Sequence, residues 1–480
     1  MLTELLSGAD SAPALVLGDT GECITYAQLR ARVANRETTM DALRGRVALL
    51  GVTTEVDSIV EYLALIAAGA TVLLVDPRTP EARCTELIGA YRPQYIAGLT
   101  SIEDSWVAEA SQSRQEPLEE RVLLGTSGTT GSPKYVRLSE ANLLASAAQI
   151  VEASGLSGDD RGLLSLPLHY SFGLSVLHSH LLAGAALVLS RTPWTAPQFG
   201  DVTSSCRVTG LFAVPYSMSI LRRTGHLDRG IAGLRQVTVA GGRLGVDETL
   251  SCYERLRAHG TDLLVRYGAT EASAAISVLP ANELPAQVGS AGYPVAGLRV
   301  SIEHASDTGS GVLAVEGPSI MLGYAQGRDD LGRGNMTGNR YVTSDIASID
   351  EKGRIWIRGR EGNFAKVRGL RISLDDIESL FDDWGLTGCA VAVDLDEQIV
   401  IAAESPGAAL PNARQIERTA GLPPRSVQVV LVDELERTSA GKIDRAATRT
   451  RLASHGSALH SDISSEFDAR KERDGKPRGQ

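Results

Sequence analysis

No two cysteines of this chain stand at Cys-x-x-Cys spacing. The five, Cys23, Cys84, Cys206, Cys252 and Cys389, are far apart, and their odd number rules out complete internal pairing. A reducing compartment follows, so the expected location is the cytoplasm. None of the five sits in a nucleophile motif, and all are read as structural. The N-terminus lacks a basic stretch followed by a long apolar run, so no secretory signal is expected. Long unbroken apolar runs are missing throughout. YLALIAAGATVLLV, over 62–75, is interrupted by glycine and too short to span a bilayer. Positive charge is in deficit: 47 Lys and Arg stand against 58 Asp and Glu, a net charge of −11. That balance argues against nucleic acid as a partner, although it leaves room for one nucleotide held by a dedicated loop. No internal repeat is present.

What the chain does have is length and order. Its 480 residues exceed one compact core, so two or three domains are expected. TYAQLRARVA (25–34) predicts a short amphipathic helix with Thr25 near its start. RVALLGV (46–52), a helical stretch near 57–69 and TVLLVDP (71–77) follow. Helices are expected near 140–154 and 172–184, with apolar runs at 162–168, 186–190, 210–215 and 236–242. Apolar runs alternating with helical patterns imply parallel strands with crossover helices, an α/β layout. From about residue 286 the texture turns Gly-punctuated and β-branched, which predicts a smaller β-rich subdomain. After Arg360 a compact α+β unit begins, with a helix at 374–384 and strands at 389–394, 398–404 and 426–433. From about Ser454 the chain is polar and charged without a core pattern.

The strongest local signal is LLGTSGTTGSPK (123–134). An apolar strand runs into Thr126, Ser127, Gly128, Thr129, Thr130, Gly131, Ser132, Pro133 and Lys134. Glycines free the backbone to curl, while hydroxyls and N–H groups suit phosphate oxygens. Lys134 adds a mobile positive charge. The Walker arrangement, with Lys–Ser/Thr directly after Gly, is absent. A Gly/Ser/Thr loop of this kind also serves as a plain linker, so its context decides.

That context is a series of further motifs in a fixed order. TSGTTGSPK resembles the signature loop of the adenylate-forming superfamily, which includes acyl- and aryl-CoA ligases, adenylation domains of nonribosomal peptide synthetases, and firefly-type luciferases. ITYAQL (24–29) and AAGATVLLVDPRTPEAR (67–83) resemble its structural landmarks. VAGGRL (239–244) resembles the turn packing on adenine, which gives Gly241, Gly242 and Arg243 to the nucleotide. YGATEAS (267–273) resembles the segment in which Tyr267 and Gly268 lie near adenine, Thr270 contacts the α-phosphate and Glu271 holds Mg²⁺. A hard carboxylate suits Mg²⁺ bridging phosphate oxygens. In YVTSDIASIDEKGRIWIRGR (341–360) the resemblance assigns Asp345 to the ribose hydroxyls, assisted by Arg360. The family's Thr-Gly-Asp is Thr343-Ser344-Asp345 here. RTSAGKIDR (437–445) resembles the terminal motif whose lysine, Lys442, bridges the attacking carboxylate and the α-phosphate.

The resemblance implies a fold and a reaction. The expected architecture is α/β: a large N-terminal domain over 1–361, built from two α/β subdomains and a β-rich subdomain. A small mobile α+β domain over 362–453 and a disordered tail over 454–480 follow. The expected activity is ATP-dependent conversion of a carboxylic acid to acyl-AMP, then acyl transfer to a thiol, either CoA or the phosphopantetheine arm of a separate carrier protein. Mg²⁺ is the implied metal. Catalysis falls to Lys442, Thr270 and Glu271. The substrate pocket is expected around His169, Tyr170, Phe172, Phe212, Tyr216 and Gly268. Two departures stand out. The hinge position two places after the Arg, usually Asp or Lys, is Gly362. In LPLHYSFGLS (166–175) the usual His position is Tyr170, preceded by His169. No acidic residue occupies the place where α-amino-acid domains anchor an ammonium, so an acyl or aryl acid is favoured. An amide-forming relative using the same adenylation chemistry, or a non-catalytic nucleotide-binding module, are the alternatives.

Overall fold

The computed structural model describes residues 2–106, 118–126, 134–306, 309–361, 363–367, 370–386, 388–395, 398–404, 410–438 and 441–454. Their contacts divide into two units: Met1–Glu361 with Ser439–Lys442, and Gly362–Thr438 with Ile443–Gln480.

The first unit holds three sheets. A nine-stranded sheet has a parallel centre, in the order Asp262–Tyr267, Gln236–Val239, Gly210–Ala213, Arg161–Leu163, Ala186–Leu189 and Pro13–Leu17. Antiparallel strands close both of its sides. A seven-stranded sheet runs parallel through Glu120–Gly125, Thr71–Val75, Val47–Gly51 and Tyr95–Ala97. Its antiparallel border is the hairpin partner Tyr135–Ser139, followed by Gly323–Ala325. VALLG and TVLLV are buried at every position, the pattern of strands covered on both faces. The cover is helical. Tyr26–Glu37, Val56–Ala67 and Ser171–Leu182 share one apolar cluster with Leu15 and Leu187 of the first sheet and Leu74, Val122 and Leu124 of the second. Each fully buried leucine there contributes about 1.5–3 kcal/mol of transfer free energy.

Local sequence sets the helix starts. Thr25 and Gln28 form a reciprocal capping box ahead of Tyr26–Glu37, and Ser139 and Asn142 do the same ahead of Glu140–Ser154. The run at 162–168 forms a strand only over Arg161–Leu163. Pro167 has no N–H for a ladder, and its carbonyl packs so close to Gly173 that a Cβ there would lie 2.2 Å away. The chain therefore turns into the next helix at Ser171.

The third sheet is antiparallel: Arg299–Glu303, Gly311–Glu316, Arg340–Ile349 and Ile355–Arg360. One buried ion pair braces the hairpin below 126–134. Arg137 and Glu120 are both fully buried and meet at 2.8 Å. Arg137 also donates to the carbonyls of Leu322 and Gly334, at 3.2 and 3.1 Å, and the Gly332 amide donates to Glu120 at 2.9 Å.

In the second unit, Ala390–Leu395 pairs antiparallel with Gln398–Glu404, which pairs parallel with Val427–Val432. Leu374–Asp383 packs its Ile377 and Phe381 on that sheet's core. The parallel connection needs a crossover, supplied by the helix Ala413–Thr419.

Candidate active site

The site lies where parallel strands of the nine-stranded sheet end, the usual ligand position in such sheets. Gln236–Val239 runs out at Ala240 and Gly241. Gly241 has φ +84°, and a Cβ on it would lie 2.4 Å from the Tyr170 hydroxyl. Gly242 follows against Pro215, and Arg243 is exposed.

Asp262–Tyr267 leads into a tight turn at 268–275. A Cβ on Gly268 would sit 1.7 Å from the Ala274 carbonyl oxygen, so only glycine fits. Thr270–Ala272 is one 3-10 turn, and Ser273 and Ala274 both adopt positive φ, +54° and +97°. The surroundings hold this strained backbone in place. Ser146 donates to the Ser273 carbonyl at 2.6 Å, Ser273 donates to that of Ser319 at 2.7 Å, and the Met321 amide donates to that of Glu271 at 2.9 Å. The Thr270 and Ser171 hydroxyls are 3.2 Å apart. Glu271 accepts a hydrogen bond from the Tyr324 hydroxyl at 2.8 Å. Burial, and then the Glu271 charge, push that phenol far above its usual range.

Tyr267 points to the opposite side of its strand, where its hydroxyl donates to Asp345. Asp345 stands opposite Arg360 in the ladder and accepts from its Nε at 2.7 Å. Burial and then Asp345 raise the Tyr267 phenol well above its usual range, so it remains a donor.

Ser439–Lys442 belongs to the first unit. The Lys442 ammonium lies 4.9 Å from the centroid of the Tyr170 ring, a cation–π distance. Burial, followed by Arg360, lowers its pKa to about 8, against the opposing pull of Asp345 and Glu271. Tyr170, Phe172, Ala240, Gly268, Thr270 and Lys442 all line one cavity. This is the convergence of the assigned residues.

Other assigned residues lie elsewhere. His169 faces Asp76, with its Nε2 3.8 Å from a carboxylate oxygen, and is absent from that cavity's lining. Burial lowers its pKa. Phe212 stands behind Phe172, with ring centroids 6.3 Å apart in an edge-on arrangement. Tyr216 packs on the main core. Thr126 and Lys134 close the hairpin, with the Thr126 amide 3.4 Å from the Lys134 carbonyl. The Lys134 ammonium lies 5.6 Å from the Tyr324 ring centroid. Ser127, Gly128, Thr129, Thr130, Gly131 and Gly362 lie outside the described residues. The described residues contain no cluster of three or more His, Cys, Asp or Glu for a metal. Glu271 alone still fits Mg²⁺, which keeps most of its waters and takes one or two carboxylates together with substrate phosphates.

Sequence reasoning missed Tyr324, and it gave no individual role to Ser171 or Arg266, which lie in the stretches 169–177 and 266–275 expected to line the pocket. Arg266 directly precedes the YGATE run, and that adjacency was the available signal. Tyr324 lies 53 positions from Glu271 and carries no local signal.

A family model described as AMP-binding enzyme matches residues 100–325. The isonitrile lipopeptide synthase of Streptomyces coeruleorubidus is 27% identical over 473 residues, covering 89% of this chain and 32% of that protein. Thus this chain spans about a third of that relative's length. The indoleacetate–CoA ligase of Aromatoleum aromaticum is 28% identical over 376 residues, covering 75% of this chain and 72% of the ligase. Among solved structures, o-succinylbenzoate CoA synthetase from Bacillus subtilis, in complex with its acyl-adenylate intermediate, superposes with a TM-score of 0.74. It is 20% identical, and the match covers 92% of this chain and 96% of that one, a likeness of fold. No described helix is long and apolar enough to cross a membrane. With the ordered motifs and the cavity they line, these matches make the chain similar to AMP-binding enzymes over residues 100–325.

Proposed function

We propose that this protein activates a carboxylic acid with ATP and then passes the acyl group to a thiol. The observation that carries this reading is the convergence of Lys442, Thr270 and Gly268 on one cavity. Glu271 stands one residue from Thr270, in the same rigid turn.

In the first step a carboxylate oxygen of the acid attacks the α-phosphorus of ATP. The new O–P bond forms as the bond to the β-phosphate bridge breaks, and pyrophosphate leaves. Lys442, charged below pH about 8, stabilises the negative charge that builds up on the oxygens. Thr270 donates its hydroxyl to the same region. Asp345, positioned by Arg360 and Tyr267, accepts from the ribose hydroxyls. Mg²⁺, held by Glu271, would neutralise phosphate charge when bound. Thr126, Lys134 and the hydroxyl-rich segment between them hold the outer phosphates.

In the second step a thiol sulfur attacks the acyl carbonyl carbon. The C–S bond forms, the C–O bond to phosphate breaks, AMP leaves, and the thiol proton passes to solvent. CoA and a phosphopantetheinyl carrier are both compatible acceptors. The division between units falls at Gly362. A hinge there would turn the second unit, Gly362–Thr438 with Ile443–Gln480, and bring the Lys366–Gly369 stretch into play.

The test is acid-dependent exchange of labelled pyrophosphate into ATP over a panel of aryl, fatty, hydroxy and amino acids. One acid class should stimulate exchange, and Lys442→Ala should lower it about 10²–10³-fold. Exchange independent of added acid, or unchanged in Lys442→Ala, would overturn the reading.

A further inference from the structure

Arg266 is a buried charge without a counter-charge. It is 4% exposed, yet among the described residues no carboxylate pairs with it. Among the described residues its guanidinium makes one hydrogen bond, from Nη2 to the Ser175 hydroxyl at 3.3 Å, and its Nε has no partner. The guanidinium lies against the Phe172 ring, 4.2 Å from the centroid. Burial lowers its pKa to about 10. A stacked ring and one neutral hydroxyl are weak recompense for desolvating a guanidinium. Folds rarely hold an arginine this way unless something else completes the pairing.

Strand geometry places Arg266 beside the acid cavity. The strand that carries Arg266 runs directly into the turn that lines the cavity. Arg266 and Gly268 are two apart, and Gly268 lines the cavity. Val239 pairs with Val265 in parallel register, so Ala240, also a lining residue, is Arg266's lateral neighbour. Phe172 touches both the guanidinium and the cavity. The positive group thus stands against Phe172 on the wall, apart from Lys442 at the reacting end.

We infer that the acid activated here carries a second anionic group, a distal carboxylate, which pairs with Arg266. This rests on the adenylation reading above and narrows it to dicarboxylic acids with a spacer of a few atoms. The planar fork of a guanidinium matches a carboxylate with two parallel hydrogen bonds, and Nε and Nη2 form one edge of that fork. The reacting carboxylate goes to Lys442, and the distal one stays unreacted and fixes the orientation. Arg266 is a specificity-determining residue in this scheme and touches no reacting atom.

The experiment measures pyrophosphate exchange with straight-chain dicarboxylic acids from malonate to suberate and with benzenedicarboxylates, each against its monomethyl ester. The ester keeps size and one carboxylate and removes the second charge. The best diacid should exceed its ester by about 100-fold or more in kcat/KM, because a site built for a polar group strongly rejects the analogue lacking it. Arg266→Met should lower the diacid value about 100-fold, mainly through KM, and leave the ester within about threefold. Arg266→Lys should retain an intermediate preference. Should Arg266→Met fail to fold, the wild-type comparison of diacid with ester decides alone. Esters or plain monoacids turned over as well as diacids would overturn the inference and leave the adenylation reading standing. No exchange with any acid would overturn both.

Discussion

Arg137 and Glu120 form an ion pair with no solvent exposure on either side chain, beneath the hairpin that carries residues 126–134. Replacing Arg137 with Met leaves the Glu120 carboxylate buried with, among the described residues, only the Gly332 amide as donor. It also strips the Leu322 and Gly334 carbonyls of a donor. Breaking one side of a buried pair costs about 3–5 kcal/mol. Glu120→Leu should cost a similar amount, because it strands the guanidinium. The double variant Glu120→Leu/Arg137→Met removes both charges and should recover part of the loss, with a coupling of about 2–4 kcal/mol. Urea unfolding of the four proteins at pH 7, followed by fluorescence and circular dichroism, measures all three quantities. The folded double variant should also bind ATP more weakly, with acid binding less affected. Single variants costing under about 1 kcal/mol, or strictly additive losses, would refute the idea that this pair braces the hairpin.

Lys442 is charged only below pH about 8. Its amine is depressed from the usual value, so kcat/KM for exchange should fall as pH rises through about 8, and not near 10.5. Loss of its charge in Lys442→Ala should cost about 10²–10³-fold in kcat; a profile flat to pH 10 would count against it. Asp345→Asn should raise KM for ATP about 10–100-fold, the range of a charged hydrogen bond, with the acid's KM little changed. Burial lowers His178 to about 3 and His180 to about 4. Unfolding returns both to about 6.5, so the unfolded state binds more protons below that pH and stability falls with acid. Between pH 6.5 and 4.5 each contributes a loss of about 2 kcal/mol. His178→Phe should flatten that slope in urea titrations, and an unchanged slope would sink the assignment.

The strands and helices that position the site were legible because their signals are local. Continuous apolar runs such as VALLG and TVLLV, and the capping residues Thr25 and Ser139, specify element and boundary together. The helices Glu81–Tyr91, Val246–Ala258 and Ala413–Thr419 were not read, since their apolar stripes are short and interrupted by charge. In the site, Gly268, Thr270 and Glu271 fall within four consecutive residues and stood out. Tyr324's contact with Glu271 bridges distant segments, and no spacing rule reaches that far. His169 shows a different limit. Sequence places it beside Tyr170, but the turn sends the two side chains to different neighbours, Asp76 for one and Lys442 for the other.

The border strand Gly323–Ala325 has a consequence for the order of synthesis. It completes the sheet beside Tyr135–Ser139, pairing Tyr324 with Val136, although the two segments are made far apart in time. At about 5–20 residues per second on a ribosome, the hairpin waits roughly ten to forty seconds for that strand. Throughout the wait its outer edge offers unpaired N–H and C=O groups. Arg137 already has Glu120 as a partner then, but not the carbonyls of Leu322 and Gly334. A nascent chain of this protein therefore carries this hairpin as an open edge until residue 325 emerges, and that interval is when a chaperone has most to protect.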